Sequence, residues 1–272
     1  MLSYDFMQIA FIAALLLGIA LPLIGSGAIF KGIADSGDAL AHSALAGVAI
    51  GLAAGLNTTW VSIVTTIVAL IIVELLRNYF SKYVEIGLVV VLSAAIGLVG
   101  ILSNKAGVSN LSTYLFGSII LIDKEQLIIT AVLTGAIVIF TVLFGPQLFA
   151  LWYSKDEAKV RGIKTGLLNL AHSVLLGLTV AIGEKIVGSL VIASMIILPC
   201  AIALVFKKGY KFTLILGVLV SVATMLIGLT ISYYLDWAPG ATIVLLAVAV
   251  LAVVLIIKGI IKGVHLLKAK RS

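Results

Sequence analysis

Charged residues are scarce in this 272-residue chain, where Asp, Glu, Lys and Arg make up only 11% of the sequence. A soluble domain carries about 25% charged residues, so the composition excludes that class of protein. Hydrophobic residues instead make up 62%, and the mean hydropathy is +1.30. The composition therefore predicts a protein that crosses a lipid bilayer several times.

The chain has only one cysteine and lacks an N-terminal basic cluster. The one cysteine, Cys200, lies in an apolar run, which excludes a disulfide framework. The first eight residues contain Asp5 but neither Lys nor Arg, unlike the start of a cleaved signal peptide. We therefore expect the first apolar run to be retained as a membrane helix. The 18 Lys and Arg residues are scattered over short loops, which argues against a nucleic-acid partner.

Charged or turn-rich breaks divide the chain into about nine apolar spans of bilayer length, in a single membrane domain covering 1–272. With an outside N-terminus, fifteen of the 18 Lys and Arg residues fall on the cytoplasmic side. The positive-inside rule therefore predicts an outside N-terminus and a cytoplasmic C-terminus. The predicted spans are 7–29, 39–56, 60–77, 86–103, 127–149, 167–182, 186–206, 212–235 and 241–261.

Two connecting segments are predicted to have structure of their own. Ser109 to Ile122, SNLSTYLFGSIILI, is apolar but too short to span, which favours a short interfacial or re-entrant helix. The polar segment at about 154–166 begins with Ser154, and Glu157 follows three residues later. This is the spacing of a capping box, so we expect a short cytoplasmic helix there.

Asp38 and His42 are the side chains most typical of a metal site. They are four residues apart, so a helix presents them on one face, and both bind Zn²⁺ or Mn²⁺. The alternative is that Asp38 caps the helix and His42 is a buried hydrogen-bond donor. Two ligands are too few for tight zinc binding, but two copies of the chain on a two-fold axis would supply four. His172 repeats the LAHS context of His42 without the carboxylate and is a weaker candidate.

Other polar or helix-breaking positions have more ordinary interpretations. Glu184 and Lys185 are expected to form a tight outer turn with a local structural role. Pro199 interrupts an apolar span, where it would kink the helix for gating or only shape its packing. No phosphate-binding loop, nucleophile triad or zinc-hydrolase motif appears, so we expect a transport protein without catalytic residues that depends on a partner or an ion gradient for energy.

Four motifs together resemble the membrane permeases of bacterial zinc and manganese ABC importers, the ZnuB-like proteins. These are SGDALAHSALAGVAIG (Ser36–Gly51), YLFGSII (Tyr114–Ile120), DEAKVRGIKTG (Asp156–Gly166) and VGSLVIASMIILPCAIA (Val187–Ala203). The chain departs from many relatives before the first motif, where Lys31 is the only basic residue.

The resemblance implies an all-helical type II importer fold and a homodimer in the bacterial cell membrane. It also implies two cytoplasmic ABC ATPases, an extracytoplasmic metal-binding protein and no permanently bound cofactor. Asp38 and His42 would then line the path of the transported metal. The third motif matches the coupling helix that sits in the ATPase, with the residues Asp156, Glu157, Ala158, Arg161 and Gly162.

The function expected from these features is ATP-driven import of Zn²⁺, with Mn²⁺ or Fe²⁺ as alternatives in the same family. A less favoured alternative is a secondary transporter in which Asp38 is a proton-coupling carboxylate. The sparse acids in the spans and the polar 154–166 segment weigh against that alternative.

Overall fold

A computed structural model describes residues 4–30, 36–79, 84–105 and 122–269. Within these ranges the chain forms ten α-helices and no strand. They are α1 (Asp5–Phe30), α2 (Ser36–Ala54), α3 (Thr58–Tyr79), α4 (Val84–Lys105), α5 (Lys124–Tyr153), α6 (Lys155–Val160), α7 (Thr165–Val187), α8 (Ser189–Leu204), α9 (Tyr210–Leu235) and α10 (Pro239–Ala269).

Each of the nine predicted spans coincides with one helix, and α6 is the short tenth. Seven helices are long and apolar enough to cross a bilayer by length and composition. The other two, α8 and the Gly87–Leu102 part of α4, are apolar but shorter. The prediction of an all-helical membrane bundle with about nine spans is confirmed.

The helices α1 and α2 form the centre of the bundle. Small and apolar side chains along α1, from Met7 to Ala28, are almost completely buried against α5, α7, α8 and α9. By contrast, α5 and α10 leave large aliphatic side chains exposed, such as Val142 at 73% and Leu245 at 66%. A bilayer is as apolar as these side chains, so the exposed stripes are suited to contact lipid.

Close backbone approach holds α1 on α8. A Cβ atom built on Gly25 would lie only 2.3 Å from the carbonyl oxygen of Ile196, so no larger residue fits there. The Cys200 thiol donates to the carbonyl oxygen of Pro22 at 3.3 Å in the same interface. Such small-residue contacts replace the hydrophobic effect, which does not drive helix association inside lipid.

The predicted outer turn at Glu184 and Lys185 is wrong. Helix α7 continues to Val187, and the break is at Gly188, whose φ of +87° is readily adopted only by glycine. Both charged residues stay within the helix. Glu184 is buried in the bundle, and the Lys185 Nζ donates to the Oγ1 atoms of Thr58 and Thr59. The predicted interfacial helix at Ser109–Ile122 lies, apart from Ile122, outside the described residues.

Candidate functional site

Asp38 and His42 lie in the first two turns of α2. Two helical residues, Ser36 and Gly37, precede Asp38, so Asp38 is a first-turn residue rather than the N-cap considered above. A carboxylate in this position interacts favourably with the amide groups at the helix start. The side chains of Asp38 and His42 are 44% and 24% exposed, so both are accessible from outside the packed core.

The hydrogen bonds of His42 leave one ring nitrogen for a ligand. The Nδ1 atom is 3.0 Å from the backbone carbonyl oxygen of Asp38 and 3.3 Å from its Oδ1 atom. Both oxygens are acceptors, so Nδ1 carries the proton and donates. In the neutral imidazole, Nε2 then has the free lone pair that a metal ion requires, and the carboxylate fixes the ring.

A single protomer does not supply a complete metal site from these side chains. No group of three or more His, Cys, Asp and Glu residues is placed to hold a metal ion among residues 4–30, 36–79, 84–105 and 122–269. The Asp38–His42 pair therefore provides two ligating groups at most, which is fewer than the four of a structural zinc site. Partial coordination of this kind suits a cation that must leave again.

His172 has a different environment from His42 despite the shared LAHS sequence. It is 2% exposed, and its Nε2 atom donates to the carbonyl oxygen of Ile24 at 3.0 Å. The ring packs edge-on against Trp152, with centroids 5.2 Å apart. This hydrogen bond joins α7 to α1, so His172 contributes to helix packing, and a role in metal binding stays a prediction.

The short helix α6 forms where the capping pattern predicts it. The Ser154 Oγ atom accepts a hydrogen bond from the backbone N–H of Glu157 at 3.3 Å. Ala158 is completely buried with Leu148, Leu151, Trp152 and Leu168. This contact fixes α6 beneath the ends of α5 and α7.

The remaining residues of the proposed coupling segment face outward. Asp156, Glu157, Arg161 and Gly162 are exposed, and Gly162 has a φ of +75°, which ends the helix in a tight turn. Ala158 is the exception, because its buried side chain packs against α5 and α7 and holds α6 in place. Sequence reasoning missed Val160, which is 89% exposed. The one available signal was an aliphatic residue placed directly between two basic residues, Lys159 and Arg161.

Pro199 lies inside α8 and is buried. It has no amide to donate to the carbonyl of Met195 one turn earlier, so this part of α8 lacks one of its helical hydrogen bonds. The neighbouring contacts of Ile196 and Cys200 with α1 hold the helix on both sides of that gap. A gating role for Pro199 stays a prediction.

The family model described as the ABC 3 transport family matches residues 3–258, nearly the whole chain. The chain belongs to this family. The resemblance to ABC importer permeases inferred from the four motifs is thereby confirmed.

Named relatives of similar length match most of the chain. A Treponema pallidum protein named "Probable metal transport system membrane protein" is 35% identical over 256 residues, 94% of this chain and 96% of that protein. ZnuB of Haemophilus influenzae, named a high-affinity zinc uptake system membrane protein, is 33% identical over 243 residues, 85% of this chain and 91% of that protein. Further relatives, 29% and 28% identical, are named for iron and manganese transport.

A solved structure shows the same fold. PsaBC from Streptococcus pneumoniae, determined in complex with a Fab, superimposes with a TM-score of 0.80 at 28% identity. The match covers 93% of this chain and 92% of that chain. The predicted ABC importer permease fold is therefore confirmed.

Family membership defines the general role of the chain. It is a multi-pass membrane protein and the transport component of an ABC system. Membership also implies an ATPase partner and a solute-binding protein, since the permease of an ABC importer works with both.

Proposed function

We propose that this chain is the permease of an importer for divalent transition metals, with Zn²⁺ as the preferred cargo. The observation that carries the proposal is the Asp38–His42 pair, in which Asp38 orients the imidazole and leaves Nε2 free. Imidazole with carboxylate suits Zn²⁺, Mn²⁺ and Fe²⁺. The relative named for zinc is 33% identical, against 28% and 29% for those named for manganese and iron, which favours zinc.

The proposed assembly is a homodimer in the bacterial cytoplasmic membrane. Two chains meeting on a two-fold axis bring two Asp38–His42 pairs together. Asp38 Oδ1 orients each ring, so the two Nε2 atoms and the two remaining carboxylate oxygens, Oδ2, are the four ligating atoms that zinc prefers. An extracytoplasmic binding protein releases the cation into the dimer, and two cytoplasmic ATPases drive the change of access. No permanently bound cofactor is required, because the metal is the substrate.

Uptake into vesicles that contain the permease, ATPase and binding protein tests the metal assignment. We expect ATP-dependent zinc uptake to be lost in His42→Ala and to fall roughly 10–100-fold in Asp38→Ala, since the carboxylate orients the metal-binding ring. The matched control is Glu74→Gln on α3, a carboxylate that accepts from the Asn169 amide at 3.2 Å. Wild-type rates in both site variants would exclude this site.

The same vesicles separate the alternative functions. Competition by Mn²⁺ and Fe²⁺ at equal concentration ranks the three metals, and stronger inhibition by either one than by Zn²⁺ would replace zinc as the preferred cargo. A proton-coupled transporter would instead move metal with the permease alone under a pH gradient. We expect no uptake in that condition.

Membrane orientation is part of the proposal, with the N-terminus outside and the C-terminus in the cytoplasm. The native Cys200 is buried, so a single introduced cysteine gives a clean labelling signal. Asp156→Cys on α6 should react with an impermeant maleimide only after permeabilisation, because the Asp156 side chain is 94% exposed and the proposed orientation puts α6 in the cytoplasm. Asn57→Cys, between α2 and α3, should react in intact cells. The reverse pattern would invert the topology.

A further inference from the structure

Glu184 occupies an unfavourable position for a carboxyl group. It is 1% exposed, and neither carboxyl oxygen has a hydrogen-bond partner within the described ranges. It also lies in the last turn of α7, where the helix dipole disfavours negative charge. A buried, unpaired carboxylate is costly, so such groups inside membrane proteins generally serve a function.

The nearest basic side chain, Lys185, forms no ion pair with this carboxylate among the described residues. Lys185 is adjacent in sequence, but its Nζ donates to Thr58 Oγ1 at 3.1 Å and to Thr59 Oγ1. Successive helical residues point in different directions, and no ion pair joins Lys185 to Glu184 in the part of the chain described. Glu184 interacts electrostatically with Lys185 and, more weakly, with His42.

Contacts along α3 give the relative depth of Glu184 and His42. Ser62 donates to the carbonyl oxygen of Ala44, two residues beyond His42 on α2. Further along α3, Thr66 packs near Gly177 of α7, whereas Thr58, at the start of α3, contacts Lys185. Both α2 and α7 therefore run antiparallel to α3. Measured along the helix axes at a rise of 1.5 Å per residue, Glu184 is roughly 8 Å further than His42 from the end of the bundle where α6 lies.

Within the described part of the chain, a third oxygen without a hydrogen-bond partner lies at the same turn, beside the two of Glu184. Ser189 begins α8 directly after Gly188, is 1% exposed, and its Oγ atom has no hydrogen-bond partner among the described residues. Three oxygen atoms that lack partners therefore occur within six residues of the α7–α8 turn. Oxygen ligands of this kind suit a hard or borderline divalent cation.

We propose that Glu184 is a second coordination site for the transported divalent cation, between the extracytoplasmic surface and the Asp38–His42 pair. This inference rests on the proposed function, because it requires a metal that passes through the bundle. A cation at Glu184 would neutralise the buried carboxylate and then move inward to Nε2 of His42. Two partial sites in series give the cation a route along which no single site holds it too tightly.

The test uses the complete transporter with Glu184→Gln, which keeps the shape of the side chain and removes its charge. The measurements are ATP-driven uptake over a range of zinc concentrations and equilibrium ⁶⁵Zn²⁺ binding to the permease–ATPase complex without ATP. We expect the KM for zinc to rise at least tenfold and the amount of zinc bound per dimer to fall. Glu184→Asp keeps the charge and is expected to give an intermediate KM.

Glu74→Gln is the matched control, since it removes a carboxylate from a membrane helix where the carboxylate already has a partner. It should leave the KM and zinc binding at wild-type values. If Glu184→Gln retains wild-type KM and binding, or loses only turnover with binding intact, the inference is overturned. If Glu184→Gln does not accumulate, wild-type KM and zinc binding in Glu184→Asp overturn it. Absence of ATP-driven metal uptake in the wild type would instead overturn the proposed function.

Discussion

Replacement of Gly27 by alanine tests whether His172 is a packing residue. A Cβ atom at Gly27 would lie 2.2 Å from His172 Nε2, 2.4 Å from its Cε1 and 2.7 Å from Trp152 Cζ2. Contacts below 3.0 Å essentially never occur, so the imidazole must leave its place or α1 must move. Either movement breaks the hydrogen bond from His172 to Ile24.

The expected cost combines two effects. Overpacking in a well-packed core costs about 1–3 kcal/mol. Loss of a buried hydrogen bond that leaves its acceptor unsatisfied costs about another 1–3 kcal/mol. A total of about 2–6 kcal/mol in the free energy of unfolding lowers the melting temperature of a chain of this size by roughly 5–20 °C.

Thermal unfolding of the purified permease in detergent measures this change. Gly145→Ala is the control, because Gly145 lies in α5 and an added Cβ has no heavy atom within 4 Å. Its melting temperature should stay equal or rise slightly, since alanine favours a helix by about 0.5–1 kcal/mol over glycine. In a His172→Ala background, most of the penalty of Gly27→Ala should disappear. A penalty unchanged within about 0.5 kcal/mol between the two backgrounds would refute the packing role.

Three further predictions concern α6 and the end of α7. Ser154→Ala removes the cap that accepts from the Glu157 amide and should destabilise α6 by about 1 kcal/mol, measured as faster amide exchange in that helix. Val160→Glu should reduce permease-dependent ATPase stimulation, because it places a charge on the outward face of the proposed coupling helix. The melting temperature should not change, since the side chain is 89% exposed, and normal stimulation would show that Val160 does not contact the ATPase. Lys185→Met removes the ammonium group that donates to Thr58 and should therefore speed amide exchange in the last turn of α7. Unchanged exchange would contradict this anchoring role of Lys185.

Much of the fold could be predicted from hydropathy and charge. Each apolar span became a helix because a bilayer requires the backbone to satisfy its own hydrogen bonds over the full span. The short helix α6 was predictable from two residues, Ser154 and Glu157, because capping is a local interaction. The i, i+4 relation of Asp38 and His42 is local too, so their contact followed from the helix alone.

Features that depend on distant residues were not predictable in this way. The charged pair Glu184–Lys185 resembles a loop in sequence, yet Lys185 is held by Thr58, 127 residues away. The two LAHS segments are nearly identical, but only His172 meets a carbonyl on α1, 148 residues earlier in the chain. Hydropathy contains no information on such partners, and this is why the burial of His172 against α1 could not be distinguished from the partly exposed position of His42.

The connections around α6 have a mechanical consequence. Between Lys124 and Leu204 the helices are joined by one residue at Ser154, four residues at 161–164 and one residue at Gly188. Each residue spans at most about 3.6 Å, so these joints contain almost no slack. A displacement of α6 by a bound protein is therefore transmitted through α7 into α8 instead of being absorbed in loops. The last helix in this series, α8, contains Pro199, so a movement that begins at α6 would end at the helix that lacks one backbone hydrogen bond.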